Sequence, residues 1–475
     1  MRRAARPLLL LCALVSLGGC VVGPNYRAPT PPAGAAGPWV SSDARLETAA
    51  EPRDDWWRLY DDARLDGYVQ EAFRANADLA VAEANLAAAR ALFDGAQAGQ
   101  FPSTTLGAGA VRGRDPATDQ ILEMTGREPA TTWKYSSRLD VGYELDLFGR
   151  VRRAIEAARA DGESVEAARD ALKVTVAAET ARAYAQICTL GEQIQVARHS
   201  LDIVAHEAGI AANRRGAGAG SEFEEVRAQG LVAQVRSGIP TLEGQRRAAL
   251  FQLAALLGRT PANAPAEALA CTTAPTISTP VPIADGAALL RRRPDIRQAD
   301  RRLAAAIART GVATADLYPR ISLAGFYGAA APSLGVLGSE RGLAWGLGPS
   351  IQWAFPNQSG PRARLRQANA GQRAALAGFD SAVLQALKET EQALSAYSAE
   401  LDHHADLEAA LKSARRGYEL AHDQYLAGAS TQLDLLGAEQ FASSAEAAVA
   451  ASDALLVQDQ VTIFKVLGGG WRAGA

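Results

Sequence analysis

The sequence repeats itself once, and the repeat is carried by residues that helix-rich composition does not generate by chance. Asn76-Ala-Asp-Leu79 aligns with Arg293-Pro-Asp-Ile296, and Phe101-Pro102 with Tyr318-Pro319, both at an offset of 217 residues. Gly149 matches Gly360 at an offset of 211. Gly218-Ala-Gly-Ser221-Glu-Phe-Glu224 matches Gly428-Ala-Ser-Thr431-Gln-Leu-Asp434, and Leu257-Gly258 matches Leu467-Gly468, each at 210. The copies occupy residues 65–258 and 285–468, with a linker at 259–284 and a tail at 469–475.

Each copy reads helix, two strands, very long helix, turn, helix. In the first, an Ala/Leu/Glu-rich helix runs from Leu65 to Gly99 and Pro102 ends it. A β-hairpin follows over 103–147, then a long helix over 150–215, a Gly-rich turn at 216–220 and a helix at 221–258. Ser221 and Glu224 have the spacing of a capping box. The second copy places a β-hairpin at 320–355, a long helix at 361–425, a turn at 426–430 and a helix at 431–467, with Thr431 and Asp434 in the capping positions. At the helical rise the long helix spans about 99 Å and its shorter neighbours about 52 and 57 Å. Two short helices end to end therefore match one long one, as the wall of a tube or rod requires.

The strands decide between tube and rod. Tyr135, Leu139, Val141, Tyr143, Leu145 and Leu147 share one face, while Ser136, Arg138, Asp140, Glu144 and Asp146 share the other. Leu343, Trp345, Leu347, Ile351, Trp353 and Phe355 oppose Ala344, Gly346, Gly348, Ser350 and Gln352 in the same way. One apolar and one polar face, with aromatics at the ends, is the pattern of outer-membrane barrel strands; a strand pair half-buried on a soluble core would share it. Four strands cannot close a barrel in lipid, because open edges would leave backbone groups unpaired. Three chains supply twelve strands and a conduit, whereas two supply eight and a filled interior. The expected fold class is thus an α+β membrane protein. Each chain brings long periplasmic helical hairpins and four transmembrane β-strands, and a homotrimer forms a 12-stranded barrel and a 12-helix tunnel.

The first residues agree with export. Arg2, Arg3 and Arg6 precede an apolar run from Leu8 to Leu17 that is too short for an anchor, so 1–19 reads as a cleaved signal peptide. Leu17-Gly18-Gly19-Cys20 resembles a lipobox, which makes Cys20 the lipidation site and 20–64 a lipid-anchored segment. Several acyl chains on one residue give a stable anchor, and Val21 in place of Asp implies outer-membrane sorting. An ordinary signal peptide with a chance Cys is the plainer alternative. No later stretch offers eighteen consecutive apolar residues, and a net charge of −3 argues against a nucleic-acid partner.

These residues resemble the TolC-like outer-membrane factors, most closely the lipoprotein branch with OprM- and NodT-type proteins. The carriers are Gly23-Pro24-Asn25-Tyr26, Tyr143-Glu-Leu-Asp-Leu-Phe-Gly-Arg150, Leu290-Arg-Arg-Arg-Pro-Asp-Ile296 and Gly311-Val-Ala-Thr-Ala-Asp-Leu-Tyr-Pro-Arg320. The resemblance implies a trimeric exit duct for small molecules, working with a periplasmic adaptor (membrane fusion) protein and an inner-membrane pump, most often of the resistance-nodulation-division class. It also implies that Gly218, Ser221, Glu224, Gly428, Thr431 and Asp434 form the periplasmic tips where the adaptor docks. Asp434 matches the family's aspartate near the constriction, either gating the channel or simply capping its helix. Glu224 stands where Asp is usual, and Gly437 where some relatives carry a second acidic residue.

Enzyme signatures are lacking. His206-Glu207 is not followed by a second zinc-spaced His, and Gly216-Ala-Gly-Ala-Gly220 joins two helices rather than following a strand. Neither a catalytic site, a metal site nor a cofactor is expected, and the five histidines and the run Arg291-Arg-Arg293 read as solvated faces. Alternatives are the exit duct of type I protein secretion and, in another class, a periplasmic coiled-coil scaffold lipoprotein. Cys188 lies about 35 residues down the long helix, level with the start of the first helix, and Cys271 lies in the linker that must cross that level. A Cys188–Cys271 disulfide is therefore expected in an oxidising periplasm, with two separate thiols as the alternative.

Overall fold

The computed structural model describes residues 21–470 except 42, 44, 47–49, 115–119, 121–122, 127–130 and 278. The signal peptide, Cys20 and residues 471–475 of the tail lie outside the described residues. In chain order the main elements are α1 (Ala63–Ala75), α2 (Ala77–Ala98), β1 (Ser103–Gly113), β2 (Thr132–Leu145), α3 (Arg150–Gly216) and α4 (Glu222–Leu256). The second copy follows with α5 (Gly286–Arg292), α6 (Pro294–Ala315), β3 (Arg320–Ala331), β4 (Leu343–Gln352), α7 (Ser359–Leu426) and α8 (Gln432–Val466). The two long helices hold 67 and 68 residues.

The first helix of each copy is not continuous. In the first copy Asn76 turns extended and ends α1; its Oδ1 then accepts N–H bonds from Asp78 and Leu79 at 3.0 and 3.1 Å, capping α2. Its Nδ2 donates to the Leu256 carbonyl at 3.0 Å, tying the break to the end of α4. In the second copy Arg293 takes the extended conformation that a following proline imposes, and Pro294 opens α6 as a first-turn residue. Reading Leu65–Gly99 as one helix overlooked the competition of the Asn side chain with its own backbone.

The chain divides into two compact units: 1–29, 86–165 and 299–379 in one, and 30–85, 166–298 and 380–475 in the other. The first contains a four-stranded antiparallel sheet in the order β1-β2-β3-β4, with β1 and β4 as edges. Its register sets Leu106 opposite Leu139, Leu139 opposite Tyr327, and Tyr327 opposite Trp345, so one face carries an apolar band across all four strands. The other face carries Arg138 and Asp140, which pair at 2.8 Å, and Glu144 opposite Ser322 opposite Ser350. Leu147, Trp353 and Phe355, expected as strand residues, lie past the strand ends; Trp353 and Phe355 stack at 4.7 Å there.

The Gly23–Tyr26 segment packs in this unit through contacts only a glycine allows. Gly23 sits at φ +89, and a Cβ on it would come within 2.6 Å of Gly311 Cα. Asn25 Oδ1 accepts from the Arg153 guanidinium at 2.6 Å, and the Tyr26 hydroxyl donates to Asp300. Two of the resembling motifs thus meet, Gly311 beginning the second.

The second unit holds the helical hairpins and a core between them, with Tyr184, Ile187, Leu253, Leu394, Leu435 and Phe464 fully enclosed. Arg292 and Arg293, expected on a solvated face, are instead buried at 8% exposure each. Arg293 donates to Asp295, to Glu389 at 2.9 Å and to the Val466 carbonyl at 2.8 Å. Arg292 reaches Asp54 at 2.6 Å. Only Arg291 behaves as a surface residue, because the helix break at Arg293 turns its neighbours inward.

Candidate functional site

The two tip turns are built alike, bond for bond. In the first, Gly218 N–H donates to the Arg215 carbonyl and Ala219 N–H to Arg214, both at 2.9 Å. In the second, Gly428 donates to Tyr425 at 3.0 Å and Ala429 to Gln424 at 2.8 Å. This helix-ending pattern needs a left-handed residue, and Gly218 and Gly428 supply it at φ +74 and +72. The next helix starts immediately. Ser221 Oγ accepts from Glu224 N–H at 3.2 Å while Ser221 N–H donates to the Glu224 carboxylate at 3.0 Å. Thr431 and Asp434 make the same reciprocal pair at 3.3 and 3.0 Å.

Asp434 is therefore a capping residue in this chain, and the Thr431 hydroxyl, followed by the Thr431 N–H, holds its carboxyl below the ordinary value. Glu224, one methylene longer, closes the same box, so its departure from Asp costs the turn nothing. Arg214 donates to the Tyr425 hydroxyl at 2.7 Å, which brings the two tips side by side. Around them Phe223 and Leu426 stand 71% exposed each, with Val226 and Leu433 also open.

Farther from the tips, Cys188 and Cys271 have their Sγ atoms 2.11 Å apart and their Cα atoms 4.7 Å apart. Arg246, unanticipated from sequence, holds the linker there by donating to the carbonyls of Ile187, Leu269 and Cys271. A lone arginine in a helix gives no sequence signal for a backbone-carbonyl clamp.

In the unit that holds the sheet, the apolar sheet face is open: Leu106, Trp345 and Leu347 are each more than 70% exposed. Four strands with a bare apolar face, two unpaired edges and long helical hairpins from a tandem repeat define an outer-membrane β-barrel channel with a helical extension. The chain belongs to the Outer membrane efflux protein family, whose profile matches residues 68–259 and again 287–469, once on each copy of the repeat. Outer membrane protein OprJ of Pseudomonas aeruginosa is 29% identical over 476 residues, covering 100% of this chain and 98% of that protein. Antibiotic efflux pump outer membrane protein ArpC of Pseudomonas putida is 30% identical over 476 residues, covering 96% and 93%. The solved structure of the outer-membrane channel OprN is 36% identical and superposes with a TM-score of 0.88 over 95% of this chain and 100% of that one. The protein is an efflux channel of the outer membrane.

Proposed function

We propose that three copies of this chain form a passive exit duct in which a 12-stranded barrel continues into a 12-helix periplasmic tunnel. The unpaired edges of β1 and β4 carry this reading. In hydrocarbon each unpaired backbone group costs several kcal/mol, so β4 of one copy must pair with β1 of the next until the sheet closes. Measuring the mass of the detergent-extracted particle tests it: three chains are expected, a monomer refutes the closure, and a dimer refutes the twelve-stranded duct.

In this reading Cys20 is the acylated residue that anchors the duct. Val22 N–H donates to the Phe148 carbonyl at 3.2 Å, and a Cβ at Gly149 would meet Val21 within 2.7 Å. The residue after the lipidated Cys is thereby held where β2 ends and α3 begins, at the inner edge of the barrel. Cys20→Ser should abolish lipid labelling.

The paired tips are the docking place for a periplasmic adaptor, which links the duct to an inner-membrane pump of the resistance-nodulation-division class. The duct has no chemistry of its own, and the pump selects the cargo. ArpC's name as part of an antibiotic efflux pump supports small molecules as that cargo. Gly218→Val and Gly428→Val should raise drug susceptibility to that of a deletion strain without lowering trimer abundance. Unchanged susceptibility in both variants moves the docking site elsewhere.

A further inference from the structure

Deep between the hairpins near the tips, α3 and α8 each carry a buried acidic side chain for which no ion pair to lysine or arginine is seen. Glu207 and Glu439 are both 2% exposed. Glu207 Oε2 has no hydrogen-bond partner. Glu439 Oε1 accepts from Ser443 Oγ at 3.0 Å, and Ser443 pairs with Ser200 Oγ at 2.6 Å across the same helix interface. Since the Ser443 proton goes to Glu439, Ser200 is the donor in that pair. Two buried carboxylates without a lysine or arginine partner are costly, and the repeat does not explain them. The matching positions in the other copy are Gly417 and Gln229.

The groups facing them come from every helix around. On α3 these are His199 and His206, both at the surface; on α7 they are Tyr418 and His422, whose rings lie 6.0 Å apart. On α8 Glu446 is neutralised by Arg415 of α7 at 2.5 Å. The α4 side presents Ala228 and Leu231, packed with Ala211 and Leu436. Among the described residues no lysine or arginine forms an ion pair with Glu207 or Glu439.

We propose that Glu207 and Glu439 form a proton-binding site that locks α3 to α8 when protonated and loosens the tip when ionised. Burial pushes both carboxyls up; for Glu207 the nearby His206 and His422 pull the other way, and for Glu439 the Ser443 hydrogen bond and His199 pull down while Glu207 and Glu446 add to the rise. A carboxyl raised in the folded state stabilises it below the ordinary value and loses that contribution as pH climbs through the raised one. The tip is therefore tight in acid and looser toward neutral and alkaline pH. This lies beyond the docking role, and it holds or fails whatever partner the tips engage.

Hydrogen exchange on the full-length protein in lipid discs, corrected for intrinsic rates, reads the site directly. Between pH 5.5 and 8.0, amides of 200–215 and 432–446 should lose protection relative to the strands. Glu207→Gln and Glu439→Gln mimic the protonated form, and each should hold the acid level of protection at pH 8.0. Equal protection at both pH values in the unmodified protein overturns the proposal. So does a pH response that persists in both Gln variants.

Discussion

Gly191 leaves room for the carbonyl oxygen of Cys271, since a Cβ at position 191 would lie 2.6 Å from it and equally close to the Arg246 guanidinium. The linker between the copies thus crosses α3 at a notch without a side chain. Gly191→Ala forces the linker or Arg246 outward, and overpacking of this kind costs about 1–3 kcal/mol. The expected result is a lower unfolding midpoint in denaturant together with a larger free-thiol fraction before reduction. A midpoint equal to that of the parent would mean that the linker shifts freely.

The disulfide beneath that notch closes a loop with a sequence separation of 83 residues. Its chain-entropy contribution is about 4 kcal/mol, an upper figure where the unfolded chain keeps structure. Cys271→Ser should therefore unfold at lower denaturant than the parent under oxidising conditions. With reductant present the two should converge. Because Arg246 still grips three carbonyls, the variant should keep its trimer and its efflux activity.

Much of this was legible in the sequence because it rests on local chemistry. Gly218 and Gly428 need left-handed backbone, and Ser221, Glu224, Thr431 and Asp434 complete their caps within three residues, so the tips could be read off directly. The alternation in β2 and β4 gave the sheet its faces. What stayed hidden depends on partners distant in sequence. Asn76 reaches Leu256, Arg293 reaches Glu389 and Val466, and Ser200 reaches Ser443. A run of three arginines looks solvated until a helix break buries two of them. The Cys188–Cys271 pairing came through because the helix rise fixes heights along a column even where contacts cannot be read.

Arg293 is the member of that run whose loss should be felt most. It is almost wholly enclosed, while its partners Asp295 and Glu389 keep 40% and 33% of their side-chain surface. Removing one partner of a buried pair costs roughly 3–5 kcal/mol; here the remaining carboxylates can hydrate, which favours the lower end. Arg293→Met should lower the unfolding midpoint accordingly. Arg293→Lys should recover only part of it, since a single ammonium cannot replace a fork that also serves the Val466 carbonyl. Full recovery by Lys would show that charge alone matters.

Asp459 on α8 gives the opposite sign, a charge whose removal should help. Burial, then the neighbouring Glu400, pushes its carboxyl up from the ordinary 3.8 to about 6. The unfolded chain ionises near the ordinary value and the folded chain only near the raised one, so folded stability falls as pH rises between them. Below about pH 4 the group is neutral in both states and costs nothing; above about pH 6 the whole penalty is present. The side chain is only half-buried, and solvent screening reduces the effect below what the shift alone implies. Asp459→Asn should accordingly raise the melting temperature at pH 8 and leave it unchanged at pH 4. The difference between the two proteins should grow through the interval from 4 to 6. A gain of equal size at both pH values would trace the effect to packing rather than to charge, and a loss at pH 8 would show that the ionised form has a partner worth keeping.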